Sequence, residues 1–273
     1  LEQNNMLIVH NPNFESSIAN ILNDNLQQYP LFKDQLEYKS TNIENIKTYN
    51  ALQKRPRAHR AWFFQYLLDA NLLDDGINSM NTFSLLHTTY EGRVMCKDDY
   101  ERVISKLPML PPNPDNKGLR GFADQDCGSY LTKFNEQIML DTWLTVISEA
   151  SFGESEHECF LSEKTFKPIA CCHPFIFAGN KGSLSRLREL GYKTFSPYID
   201  ESYDNLNTWE RMEAITKELF RINSMSSSDK LMWYRQLEPI LQFNYELLKT
   251  RSSKNSSNYL KIIEEYTEGR KDV

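Results

Sequence analysis

The chain contains no apolar run approaching the roughly 18 residues that a membrane-spanning helix requires. It has no cysteine pair in C-x-x-C spacing, the usual signature of a redox dithiol or a zinc clip. Its five cysteines, at 96, 127, 159, 171 and 172, are odd in number. They are read as reduced thiols of a cytoplasmic protein, mostly small core residues. The chain also lacks an excess of positive charge. Lys and Arg number 31 against 37 Asp and Glu, for a net charge of −6, which argues against a broad basic footprint for nucleic acid. The first residues, L-E-Q-N-N-M, are polar and carry no charged head with an apolar core, so no secretory leader is expected. No internal repeat and no low-complexity tract is present. His157 and Cys159 sit in an acidic loop, a weak pattern for metal ligation, and no metal site is expected.

What remains is ordinary for a folded domain: 273 residues, 40% hydrophobic and 25% charged, enough for one large domain or two small ones. Met6 to His10 reads as a strand closed by Asn11 and Pro12, and 15–29 as a helix burying Ile18, Ile21, Leu22 and Leu26. Residues 36–49 are polar with isolated isoleucines and give no clear element. Pro56 suits the first turn of a helix whose apolar positions are Ala61, Phe64, Leu68 and Leu72, with Gly76 as its stop. Ile77 to Leu86 alternates like a strand, and 105–129 holds four prolines and three glycines, a long loop. Toward the C-terminus, Ser183 to Leu190 reads as a helix closed by Gly191, and Tyr192 to Phe195 as a strand. Three amphipathic helices follow. The first carries Leu206, Trp209, Met212, Ile215, Leu219 and Ile222. The second carries Tyr234, Leu237, Leu241, Tyr245 and Leu248, and the third spans 259–266.

The most informative stretch runs from Leu144 to Gly179. A buried apolar run (143–149) is followed by a helix (163–172) within S-E-K-T-F-K-P-I-A-C-C and a second apolar run, H-P-F-I-F-A (173–178), closed by Gly179. Two apolar strands joined by a helix imply a parallel crossover. Both strands then end on one edge of the sheet, the edge where open α/β sheets bind ligands.

That edge is unusually charged. Glu149 ends the first strand, where a carboxylate meets either the solvent rim or a ligand hydroxyl. Ser162 and Glu163 suit a helix start as cap and dipole partner. Lys164 does not, because its charge opposes the dipole, and Lys167 follows one turn on. Two lysines there suit a phosphate or diphosphate, or else are surface residues. Arg55, Arg57, His59 and Arg60 likewise crowd a helix start. An anion held by free N–H groups and guanidinium groups explains them, as does a solvated basic turn. Glu154, Glu156, Glu158, Asp200, Glu201 and Asp204 read as solvated loop acids.

The ordered set I-S-E-A-S, F-L-S-E-K and H-P-F-I-F-A-G, preceded by R-P-R-A-H-R, resembles the donor-binding half of the family 10, α1,3-fucosyltransferase-like glycosyltransferases. There the corresponding stretches are F-E-N-S, Y-I-T-E-K and V-P-V-V-L-G. The segments also resemble viral and bacterial proteins with R-P-R-x-H-R, T-E-K-T-x-K-P-I and H-P-F motifs. The resemblance covers roughly 54–205 and departs from the family at Ala150, where it has asparagine. It implies an α/β fold: a Rossmann-like, mostly parallel sheet of the GT-B donor-domain kind. A reduced N-terminal, acceptor-side segment (1–53) would precede the nucleotide-sugar-binding domain (54–205), and C-terminal helices (206–273) would pack on it. It further implies a cytoplasmic, inverting glycosyltransferase moving a sugar from a GDP- or UDP-sugar to a carbohydrate or other hydroxyl acceptor, with no added cofactor. Arg57, Arg60, Glu149, Glu163, Lys164 and Lys167 would be donor-binding. The catalytic base stays unassigned, His10, Glu15 and Asp24 being weak candidates. Because only about 50 residues precede the basic segment, a second chain or domain could complete the acceptor side. Alternatives are a nucleotide-phosphate-binding module without catalysis, and a transferase acting on modified nucleic-acid bases.

Overall fold

The computed structural model describes residues 15, 18, 19, 31–53, 55–109, 136–155 and 159–251. The strand expected at 6–10, the third C-terminal helix, and most of the long loop lie outside them, as do His10, Asp24, Cys127 and His157. Residues 15, 18 and 19 are helical, and Ile18 and Ala19 are buried.

Four strands make a parallel sheet: β1 (Lys47–Leu52), β2 (Gly76–Ser79), β5 (Thr142–Ser148) and β6 (Phe175–Ala178), in the order β2-β1-β5-β6. Strands β3 (Thr89–Tyr90) and β4 (Arg93–Val94) form a separate antiparallel hairpin. The crossover unit is as expected: β5 and β6 are parallel, Thr145 opposite Phe175 and Ser148 opposite Ala178. Every residue of β5 and β6 is buried, as parallel strands covered on both faces should be. Between β1 and β5 the Asn50 amide donates to Thr142 Oγ1 and Thr145 Oγ1 at 2.8 and 2.9 Å. This buried polar rung pins the register against a slip.

The helices, in chain order, are α1 (Phe32–Thr41), α2 (Ala58–Asp69), α3 (Lys97–Ile104), α4 (Glu136–Leu140), α5 (Glu163–Ala170), α6 (Ser183–Glu189), α7 (Thr208–Asn223) and α8 (Ser227–Gln236), followed by a helical stretch over 238–251. Helix α2 is buried almost all round, through Ala61, Trp62, Phe63, Phe64 and Leu67, so it is a core helix. The C-terminal helices pack back as expected. Helix α7 lies against α2, β1 and β6, α8 lies against α1, and Leu241, Tyr245 and Leu248 of the last stretch are buried.

Several expectations are corrected. The unplaced 36–49 region holds α1 and the start of β1, which is a central strand. The buried face of α1 is Phe32, Gln35 and Lys39, so its inward stripe reads as polar. Lys39 is fully buried, donating to Met139 O and Leu140 O over the Trp143 and Tyr234 rings. Gly76 does not end α2. That helix stops at Asp69, Asn71 takes a left-handed φ of 55°, and Gly76 opens β2, where a Cβ would strike the Tyr49 ring. Only three residues of the expected 77–86 strand, Ile77, Asn78 and Ser79, pair with β1; Leu85–His87 is a 3₁₀ turn. Tyr192–Phe195 is not a strand, because side chains satisfy its backbone: Lys193 pairs with the Asn244 amide, and Phe195 N donates to Glu201 Oε1.

Candidate functional site

From β1 the chain crosses through α2 to β2 on one side, and from β5 through α5 to β6 on the other. Right-handed crossovers in opposite directions place the two helices on opposite faces. The carboxyl ends of β1 and β5 are thus the topological switch point of the sheet, where open α/β sheets form a ligand-binding crevice. Strand β1 lies before the expected domain boundary at 53–54, yet it forms this switch point together with β5.

Glu149, just beyond β5, is 1% exposed. Its carboxylate accepts from Ser162 N at 3.0 Å, Ser162 Oγ at 2.8 Å and Thr165 Oγ1 at 3.1 Å, and lies 3.5 Å from Lys164 Nζ. The carboxylate therefore sits at the start of α5, where the helix dipole favours an anion. Ser162 caps the helix as expected, accepting from Lys164 N. The anion that Lys164 needs at a helix start is thus supplied from within the chain. Glu163 is buried, and its charge acts on both Arg60 and Lys167. Burial lowers half-buried Lys167 to about 8, with Glu163 opposing the shift and Lys164 adding to it.

Arg60 is 5% exposed. Its guanidinium donates to Arg55 O, Ser148 O and Glu149 O at 2.9–3.0 Å. It therefore closes the end of β5 onto the first turn of α2. Burial, then the charge of Arg57, lowers it to about 10, so it stays charged at neutral pH. His59 Nε2 donates to Glu149 O at 3.1 Å, and its ring lies beside Tyr90 and Phe152. Burial and the Arg60 charge bring its pKa down to about 3, leaving a neutral imidazole protonated on Nε2. Arg57 is exposed as the N-cap residue of α2, with no side-chain cap bond. Of the six sequence-derived residues, Arg60, Glu149, Lys164, Glu163 and Lys167 meet at the junction of β5, α2 and α5. Arg57 lies at its rim.

The described residues of the β5–α5 loop are fastened to their surroundings. Asn180 Oδ1 accepts from Gly153 N, Arg211 donates to Gly153 O, and Glu154 accepts from Thr208 N and Oγ1 at the start of α7. The Tyr90 hydroxyl donates to Phe152 O. Glu201 and Asp204, expected as solvated loop acids, are instead buried and cap backbone, while Glu154 is exposed as expected. Asp204 is 2% exposed and accepts from Leu184 N and Ser185 N, both at 3.0 Å. Glu15 is buried against Tyr192 Oη and Arg251, which removes it from the edge. His173 of the H-P-F motif is buried beside Gln35, a core role. Cys96, Cys159, Cys171 and Cys172 are free thiols, and the described residues hold no group of three metal-ligating side chains. No helix among the described residues is long and apolar enough to cross a membrane. Sequence reasoning missed Gln53, Tyr90, Phe152 and Arg211, for which no motif signals a role.

The sequence matches no family model and no curated protein, so the likeness to the fucosyltransferase-like family stays a resemblance. Solved structures similar to the chain include a trehalose-6-phosphate structure from E. coli bound with UDP-2-fluoro glucose. It is 12% identical, with a TM-score of 0.33, over 90% of this chain and 49% of that one. Trehalose-6-phosphate synthase OtsA gives 12% identity and a TM-score of 0.34 over the same shares. The UDP-forming α,α-trehalose-phosphate synthase of Burkholderia vietnamiensis gives 11% and 0.31, over 86% of this chain and 49% of that one. The chain spans about half the length of these structures. The fold description rests on the strand order above.

Proposed function

We propose that the chain is a glycosyltransferase that draws its sugar from a nucleotide-sugar donor, GDP- or UDP-linked, bound at the carboxyl ends of β1 and β5. The observation that carries this reading is the switch point in the strand order, where the starts of α2 and α5 bring Arg57, Lys164 and Lys167 to one edge of the sheet. Helix starts favour anions; Lys164 already has the Glu149 carboxylate beside it, so a diphosphate would join that pair rather than supply its first anion. The sequence resemblance supplies the reaction class. Arg57, Lys164 and Lys167 would hold the diphosphate, with Glu163 setting the charge of Lys167. Glu149 would position them, because its carboxylate is engaged with α5; Arg60 holds the end of β5 through Nη1 and Nη2 and keeps its Nε without a hydrogen-bond partner.

In the transfer, an acceptor hydroxyl oxygen attacks the anomeric carbon from the face opposite the diphosphate. The bond from that carbon to the phosphate oxygen breaks, and its electron pair leaves with the nucleoside diphosphate. The configuration inverts. The acceptor proton goes to a general base on the acceptor side, and the cations stabilise the growing phosphate charge. The segment before β1 and the C-terminal helices would frame this domain, with a cytoplasmic location and a second chain or domain on the acceptor side.

One observation favours the alternative, a nucleotide-phosphate-binding module. The Glu149 carboxylate is saturated by donors and the His59 ring is fixed on a carbonyl, so neither serves as the base. Incubation with GDP- and UDP-sugars, following release of nucleoside diphosphate, separates the two. Release supports transfer, binding without release supports the module, and neither binding nor release overturns both.

A further inference from the structure

Buried polar groups in folded proteins nearly always find partners, and an exception calls for an explanation. Six buried side-chain atoms among the described residues have no hydrogen-bond partner: Gln53 Oε1, Arg60 Nε, Gln65 Oε1, His173 Nε2, Arg211 Nε and Arg251 Nε, the last of which is ion-paired with Glu15. Two of them stand at the switch point: Gln53 follows β1, and Arg60 is bonded to the carbonyls at the end of β5. Gln53 directly follows β1, where its backbone N–H closes on Ser79 O at 2.8 Å. It is 3% exposed. Packing alone would favour an apolar residue at so buried a position, because a glutamine oxygen sealed from water without a donor opposes folding.

The two orphaned atoms are complementary: Gln53 Oε1 only accepts and Arg60 Nε only donates. A diphosphate satisfies Arg60 but not Gln53, since its oxygens carry no proton to give at neutral pH. Hydroxyl groups do both. We propose that Gln53 is a specificity-determining residue of the crevice, accepting a hydrogen bond from a hydroxyl of the bound nucleotide sugar while Arg60 Nε donates to an oxygen of the same ligand. The assignment rests on the transferase reading and extends it to the part of the donor that the phosphate-binding cations do not read. The hydroxyl belongs to the ribose or to the transferred sugar.

The test compares wild type with Gln53→Leu, and with Gln53→Met as the volume-matched control. Each is melted without ligand and titrated by calorimetry with UDP, GDP, their 2′-deoxy and 3′-deoxy forms, and UDP- and GDP-sugars. Removing an unpartnered buried oxygen should leave the melting temperature equal to or above that of wild type, while affinity falls about tenfold, the worth of one hydrogen bond. If the ribose is the source, UDP or GDP weakens with the variants, and one deoxy form binds wild type and variant alike. If the sugar is the source, UDP or GDP is unaffected and only the nucleotide sugar weakens. Equal affinity of wild type and both variants for every nucleotide and nucleotide sugar overturns the Gln53 assignment alone. A lower melting temperature in both variants, with affinity falling in step, makes Gln53 a structural residue and also overturns it. Failure of wild type to bind any of these ligands overturns the transferase reading, and the assignment with it.

Discussion

The Glu149 carboxylate lies 3.5 Å from the Lys164 ammonium while accepting the backbone N–H of Ser162, the cap residue of α5. One acid thus terminates β5, fills the start of the following helix and neutralises the cation in its first turn. Glu149→Ala leaves the Ser162 and Thr165 donors without their shared acceptor. It should destabilise the fold by about 1.5–3 kcal/mol, the range for hydrogen bonds to a charged group, read from chemical denaturation. A loss within experimental error would show that water replaces the carboxylate.

Lys164 is 31% exposed, so its pairing with Glu149 is partly screened by solvent. Lys164→Ala should therefore cost less than about 1 kcal/mol of stability. If the crevice holds a diphosphate, the same variant should lose affinity for nucleoside diphosphates. Melts with and without nucleotide, on one preparation, read both quantities. Wild-type affinity in Lys164→Ala would remove this lysine from the donor site.

Arg60 is tied to three backbone carbonyls, which makes it part of the fold as well as of the edge. Arg60→Ala should lower stability by about 1–3 kcal/mol through the stranded carbonyls. Arg60→Lys should recover part of that loss, because an ammonium reaches fewer acceptors than the planar fork. Equal stability of wild type and Arg60→Ala, measured in urea, would contradict the bonding described.

His59 predicts an acid-side effect. Its folded pKa of about 3 lies below the ordinary 6.5. Between these values the unfolded chain binds a proton that the folded chain refuses, so the stability linked to this group is complete above pH 6.5 and is lost as pH falls toward 3. His59→Gln should flatten the decline relative to wild type in that window. Denaturation midpoints of the pair at pH 7, 6, 5 and 4 give the difference, and parallel curves would place the ring in water.

The crossover unit was legible because β5 and β6 are apolar throughout and the S-E-K-T sequence is a strong helix start. The C-terminal helices were legible because Met212, Ile215, Leu219 and Ile222 keep a helical period. Helix α1 was hidden because Gln35 and Lys39 occupy its buried face. Loop-like 192–195 resembled a strand because extended backbone is the same whether a neighbouring strand or Asn244 and Glu201 satisfy it. At the edge, charge and spacing pointed to Lys164, Arg60 and Glu149 but not to their mutual bonding, which depends on β1 and β5 being neighbours. Nothing local marks Gln53, since an orphaned atom is defined only by its surroundings.

Lys167 makes two quantities move in opposite directions with pH. Burial sets its folded pKa near 8 against an ordinary 10.5. The folded chain therefore sheds a proton at about pH 8 that the unfolded chain keeps until about 10.5. Stability linked to this group should rise with pH across that window and be absent below it. Anion binding needs the charged form, so nucleoside diphosphate affinity should fall as pH passes 8, provided Lys167 faces the phosphates. A bound diphosphate would also pull the pKa upward, and binding near pH 8 should then take up protons. Calorimetry in two buffers of different ionisation enthalpy measures that uptake. Lys167→Met should abolish both the proton uptake and the affinity change above pH 8. If uptake is the same in wild type and variant, Lys167 does not touch the anion, and the phosphates sit nearer Arg57 and Lys164.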